Sequence, residues 1–109
     1  MTVKEIVKKL SLNIISESDS CERNATGCYI GDLLSLVMSK AQSGDVWITI
    51  QTNVNVPAVA SLTDASMVIL AEGMKLDENA KKRAEEEQIC VYSSECSAFQ
   101  LACLIKECL

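Results

Sequence analysis

No histidine occurs among the 109 residues, and proline occurs once, as Pro57. Without an imidazole no Ser/His or Cys/His dyad can form. Any acid–base pair is left to carboxylates, lysine, tyrosine or cysteine. Positive charge is also in short supply. Ten Lys and Arg stand against fifteen Asp and Glu, a net charge of −5, with a pI near 4.6. That balance argues against nucleic acid, whose phosphates call for a concentrated basic surface, and against an anionic membrane surface. The longest uncharged run, Val46 to Thr63, contains Gln, Asn and Pro, and so does not read as a spanning helix. The opening Met1-Thr2-Val3-Lys4-Glu5 lacks the apolar core of a signal peptide, and a cytoplasmic location is expected. Glycine occurs four times, never as a Gly-x-x-x-x-Gly-Lys-Ser/Thr phosphate loop.

What is present is apolar. Hydrophobic residues make up 49% of the chain, enough for one core and against disorder. A single domain over 1–109 is expected. Thr2 and Glu5 match a capping box, opening a short helix to about Leu10. Leu12 to Ile15 reads as a strand, and Ser16 to Gly27 as a loop with room for an edge strand. Asp32 is placed to cap a helix reaching Ala41, stopped by Ser43-Gly44-Asp45. Val46 to Ile50 is β-branched and aromatic without a break, a strand buried on both faces. Pro57 suits the first turn of a helix running to about Ala65. Met67 to Leu70 and Ile89 to Tyr92 are further buried strands. Asp77 and Ser94 are placed to cap the helices Glu78 to Glu87 and Glu95 to Glu107. Continuous apolar strands alternating with ten-residue helices predict a three-layer α/β/α fold with a mostly parallel central sheet.

Three stretches resemble a known family: Thr26-Gly27-Cys28-Tyr29-Ile30-Gly31-Asp32-Leu33-Leu34-Ser35, Gly44-Asp45-Val46-Trp47-Ile48-Thr49-Ile50-Gln51-Thr52, and Val59-Ala60-Ser61-Leu62. In this order they resemble the DRTGG domain over nearly the whole chain. The motif is imperfect. Glu22-Arg23 stands for Asp-Arg, Thr26-Gly27 matches, and Cys28 replaces the second glycine. A positive-φ turn or a close backbone approach at that position is therefore in question. DRTGG domains occur alone, and within some phosphotransacetylases and CBS-containing pyrophosphatases. They are similar to the non-catalytic N-terminal domain of HPr kinase. The resemblance implies an α/β/α fold, a homodimeric or oligomeric habit and a regulatory role. It also implies, for stand-alone versions, an association with iron-only hydrogenases.

Asp32 weighs more as a helix cap than as a catalytic acid. The charges of Lys81 to Glu87 read as a solvated helix face. Six cysteines, Cys21, Cys28, Cys90, Cys96, Cys103 and Cys108, show no Cys-x-x-Cys spacing. Structural zinc and iron–sulfur clusters ask for that spacing, so no metal and no cofactor are expected. Cys96 and Cys103 share a helix face but stand about 10 Å apart in rise, too far for one ion. Reduced, core-packed thiols fit a cytoplasmic chain. Cys21 and Cys28, flanking one polar loop, remain as an oxidisable or metal-binding pair.

The polar knuckle Gln51 to Asn55 follows a buried strand and leads into a helix, where anions gather in open parallel sheets. Gln51, Thr52, Asn53 and Asn55 are candidate ligand residues. Arg23, Thr26 and Gly27 join them if their loop lies on the same sheet edge. Against this, Asn and Thr commonly satisfy the backbone of turns. The helix after the knuckle is nearly charge-free. Val54, Val56, Ala58, Val59, Ser61 and Leu62 predict a homodimer interface, because a helix apolar all round needs cover that one small chain rarely supplies. The expected function is a non-catalytic, ligand-sensing regulatory domain acting as a homodimer, with a small anion or nucleotide as its ligand. Two alternatives remain. One is a redox or metal-linked accessory protein of a hydrogenase-type iron–sulfur enzyme using Cys21 and Cys28. The other, less favoured, is a small enzyme.

Overall fold

A computed structural model describes all residues, Met1 to Leu109. Five strands form one sheet in the order β1-β5-β4-β3-β2. They are β1 (Asn13–Ser16), β2 (Gly27–Ile30), β3 (Asp45–Thr49), β4 (Met67–Leu70) and β5 (Val91–Ser93). β2 through β5 run parallel, and β1 closes the sheet antiparallel against β5. The helices are α1 (Val3–Leu10), α2 (Leu34–Lys40), α3 (Asn55–Thr63), α4 (Glu78–Glu86) and α5 (Ala98–Lys106). The predicted α/β/α class with a mostly parallel sheet is what forms.

The three layers follow from the pleat. Successive strand residues point to opposite faces, so each unbroken apolar run feeds two cores. Val46, Ile48, Met67, Ile69 and Tyr92 pack against Val3 and Ile6 of α1 and Leu101 and Ile105 of α5. Trp47, Val68, Leu70 and Val91 pack against Val37 of α2, Val56 and Val59 of α3, and Ala80 and Ala84 of α4. Every residue of β3 and β4 is buried, which is why both read as continuous apolar runs. The buried polar tips of Trp47 and Tyr92 find partners. Trp47 Nε1 donates to the Gly31 carbonyl at 2.9 Å. The Tyr92 hydroxyl donates to Glu17 at 2.8 Å, and burial together with that carboxylate pushes the phenol well above its usual range.

Helix starts differ from the sequence reading in instructive ways. The Thr2/Glu5 capping box forms as expected. Asp32 caps nothing: α2 starts after Leu33 with no side-chain cap. Asp32 instead accepts from Thr49 Oγ1 at 2.8 Å and from the Ile50 amide at 2.9 Å, tying the β2–α2 loop to the end of β3. Ser94 does not cap α5 either. Its hydroxyl accepts from the Cys96 amide, and Ser97 makes the capping box with Gln100, one turn later. Asp77 sits at the N-cap of α4 without a side-chain bond. The loop before β2 carries a 3-10 turn, Asp19–Glu22, and β2 is the parallel edge strand.

Candidate functional site

The expected ligand residues fall on opposite edges of the sheet. Gly27 starts β2 and pairs with Asp45 at the start of β3, so Arg23, Thr26 and Gly27 lie at the amino edge. Gln51, Thr52, Asn53 and Asn55 follow β3 at its carboxyl edge. The five residues of β3 hold the two groups about 16 Å apart. The chain does not bring them together.

At the carboxyl edge the knuckle spends its polar groups on itself. Asn53 Nδ2 donates to Gln51 Oε1 at 3.1 Å, and Asn53 Oδ1 accepts from the Asn55 amide at 2.8 Å. The Thr52 carbonyl accepts from the Asp77 amide at 3.0 Å. Gln51, Thr52 and Asn53 line none of the three cavities of the molecule. The physical reason lies in topology. A ligand crevice opens where neighbouring helices leave the sheet on opposite faces. β2, β3 and β4 are added in one direction, and α2, α3 and α4 all cover the same face.

At the amino edge the motif residues act as fasteners. Arg23 makes a two-pronged ion pair with Asp64, at 2.8 and 3.2 Å. Ser43 Oγ also donates to that carboxylate. Both bonds stabilise the ionised form, the guanidinium most, and hold the Asp64 carboxyl down to about 2. Asp64 ends α3 in the left-handed conformation, φ 55°, which Asp tolerates better than most residues. Glu22, next to Arg23, pairs with Lys4 of α1 at 3.2 Å. The Thr26 amide donates to the Gly44 carbonyl at 3.0 Å. A Cβ at Gly27 would meet the Asp45 carboxylate, which would have to shift to admit a side chain there. Cys28, in place of the second motif glycine, sits in regular strand opposite Val46 and projects from the exposed sheet edge. No left-handed turn exists at that residue.

The cysteines differ from expectation. Cys21 and Cys90 form a disulfide with Cα atoms 6.1 Å apart, so neither is a free thiol. Cys21 is thereby removed from any pairing with Cys28. Partial burial, then the nearby Asp45 charge, pushes the Cys28 thiol up to about 11, far from a ready thiolate. The spacing in sequence favoured the near neighbour. The fold brings the 3-10 turn against the residue before β5 instead.

A cavity of about 150 Å³ opens at this same amino edge. Its walls include Ser20, Arg23, Asp64, Ser66, Gln88 and Cys90. Of these only Arg23 stood out in sequence. Asp64 carried an available signal, being the first charge after an uncharged run of eighteen residues and thus a place to stop a helix. Ser20, Ser66, Gln88 and Cys90 carried none, since they converge only through the sheet order.

The expected interface helix is divided between inside and outside. Val56 is fully buried in the chain's own core and is not available to a partner, and Val59 is buried except where it forms part of the groove between α2 and α3. Val54, Ser61 and Leu62 are exposed and Ala58 half-buried, with Leu62 at 75% exposure. They are joined by residues of α2 and its approach: Leu33 at 66%, Leu36 at 45% and Met38 at 46% exposure. Between the two helices runs an apolar groove of about 280 Å³, lined by Leu34, Met38, Asn55, Ala58, Val59 and Leu62.

The fold has a solved counterpart. The chain is similar to the CBS and DRTGG domains of the regulatory region of Clostridium perfringens pyrophosphatase, a structure complexed with its activator, diadenosine tetraphosphate. The TM-score is 0.80 at 16% identity, over 99% of this chain and 47% of that one. The chain folds like a DRTGG-type domain. It spans about half the length of the pyrophosphatase region it matches. No protein-family model matches the sequence, and no curated protein does. Among the titratable side chains no group of three or more is arranged to hold a metal ion. No helix is long and apolar enough to cross a membrane.

Proposed function

We propose that this chain is a non-catalytic regulatory domain that works as a cytoplasmic homodimer. The observation that carries it is the outer face of α2 and α3. Leu34, Met38 and Leu62 line an apolar groove that holds no charged side chain, and Met38 and Leu62 stand exposed there. A second copy is the fitting occupant. The chain carries −5, so two copies repel over most of their surface, and an uncharged face is where they can meet. Across a twofold the same apolar residues serve both sides. Covering three of these side chains contributes on the order of 4–8 kcal/mol before the association penalty. The regulatory role is supported by the fold shared with a pyrophosphatase regulatory region.

Ligand sensing is the second part of the reading. The neighbour's activator is a nucleotide, and this chain is proposed to respond to a small anion of that chemistry. The Arg23 half of the expected site supports it, because Arg23 borders a cavity with Ser20, Ser66 and Gln88. Its volume suits a phosphate-sized group rather than a whole nucleotide. Such a group would compete with Asp64 for the guanidinium. A thermal-shift series over inorganic phosphate, nucleotides and phosphorylated metabolites tests this. Stabilisation that disappears in Arg23→Ala supports the site. No shift from any of them leaves a pure interaction domain. The oligomer is tested separately by light scattering: Leu62→Glu is expected to halve the molar mass, and a monomeric wild type contradicts the dimer.

A further inference from the structure

The Cys21–Cys90 bridge borders the amino-edge cavity through Cys90, which lines it beside Ser20, Arg23 and Gln88. We propose that this cavity is a site of thiol–disulfide exchange, in which a small thiol or dithiol attacks Cys90 Sγ and opens the bridge. The inference goes beyond the regulatory reading and does not depend on it.

The two sulfurs are not equivalent. Cys90 retains 4% exposure and faces the cavity, whereas Cys21 is fully enclosed. An incoming thiolate therefore meets Cys90 first, and Cys21 is the sulfur that leaves. The leaving group is prepared for charge. The Ser18 amide donates to Cys21 Sγ at 3.3 Å. A hydrogen bond to the departing thiolate lowers its basicity, and exchange quickens as the leaving thiol's pKa falls. On the other sulfur, Ser20 Oγ lies 3.5 Å from Cys90 Sγ. A disulfide sulfur has no proton, so only the hydroxyl can donate in that contact, and its one proton is divided between Cys90 Sγ and the Gln88 carbonyl 3.2 Å away. The hydroxyl is placed to receive the second thiolate when Cys90 is released in turn.

The step balances with a dithiol. Its first thiolate forms a mixed disulfide with Cys90 as the Cys21–Cys90 bond breaks, and Cys21 takes up a proton. The second thiol, deprotonated, displaces Cys90 and closes the reagent into its own disulfide. Two electrons and two protons pass to the chain, which ends with two thiols. A monothiol does the same with two equivalents.

Opening the bridge has a structural consequence. Reduction removes the covalent tie between the 3-10 turn and the residue before β5, leaving the Ser16–Val91 pairing, the Tyr92–Glu17 bond and the Ser18 hydroxyl, which donates to the Gln88 carbonyl at 3.1 Å, to hold the turn there. Arg23 follows that turn directly and grips Asp64 at the end of α3. The oxidation state of the cavity thus bears on the anchoring of α3.

The test uses the purified, oxidised full-length chain in native buffer. After millimolar dithiothreitol the thiols are alkylated and mapped by mass. Cys21 and Cys90 are expected to become alkylated within minutes without denaturant. Ser61 also lines the cavity, and Ser61→Trp, which adds bulk there, is expected to slow that reduction by about an order of magnitude. In Cys21→Ser, glutathione disulfide is expected to load Cys90. In Cys90→Ser it is expected to leave Cys21 unmodified. A bridge that yields only in denaturant overturns the proposal. So does equal loading of either lone cysteine, or protein whose Cys21 and Cys90 alkylate without reductant and are not re-bridged by glutathione disulfide. The wild-type comparison with and without denaturant decides the matter even if a variant fails to fold.

Discussion

Arg23 and Asp64 are forty-one residues apart in sequence, and their pairing sets the behaviour of the amino edge in acid. The folded Asp64 carboxyl lies at about 2, below its ordinary 3.8. A depressed carboxyl stabilises the fold above the unfolded value, and that stability is lost as pH falls from about 4 towards 2. Asp64 is largely exposed, so solvent screening keeps the contribution to about 0.5–1 kcal/mol. Asp64→Asn, which keeps a side chain tolerant of the left-handed backbone, is expected to melt lower than wild type at pH 7. The gap should close below pH 3. Melting curves across that range check it, and a gap that persists into acid contradicts the ion pair. Asp32→Ala, which leaves the Thr49 hydroxyl and the Ile50 amide without their acceptor, is expected to cost about 1–2 kcal/mol in a denaturant melt. Arg23, Thr26, Gly27 and Asp32 stood out in the sequence, but what each touches depends on strand order, which no local pattern encodes.

Strands were the most legible elements. β4 spans the very residues its apolar run predicted, and β3 is displaced by one. Burial on both faces leaves no room for polar interruptions, so the run and the strand coincide. Caps were less legible, because Asp and Ser are common near helix starts and only geometry says which one turns back. The Ser97/Gln100 box was in the sequence as a capping signature and outranked Ser94. Ser97→Ala is expected to destabilise the fold by about 1 kcal/mol, and Ser94→Ala to leave the start of α5 intact by circular dichroism. The disulfide was not legible at all. Six cysteines allow fifteen pairings, and nothing local favours Cys21 with Cys90. The bridge spans 69 residues, and in the loop-entropy picture a closure of that length stabilises by about 4 kcal/mol. Cys21→Ser/Cys90→Ser is expected to lose a large part of this in urea melts, and an unchanged midpoint would show that the bridge carries no stability.

For the whole molecule, the sequence signalled surplus apolar surface but misplaced part of it. A charge-free α3 suggested that its whole circumference needs a partner. The sheet and α4 take up Val56, Val59 and Ala60 instead. What is left uncovered is narrower on α3 and wider on α2, whose Leu33, Leu36 and Met38 stand exposed. Phe99 and Leu104 of α5 are exposed on the opposite face, but they sit among Gln100, Lys106 and Glu107 without a groove. The α2/α3 face is therefore the one proposed to pair. Dimer formation binds the native state alone, so the melting temperature should rise with protein concentration. Met38→Glu and Leu62→Glu should each abolish that dependence while leaving the secondary structure unchanged. Sedimentation velocity of the wild-type protein across the micromolar range is the most direct trial. The account predicts a species of twice the chain mass that Leu62→Glu converts to one chain mass; a wild type that sediments as a single chain throughout contradicts it.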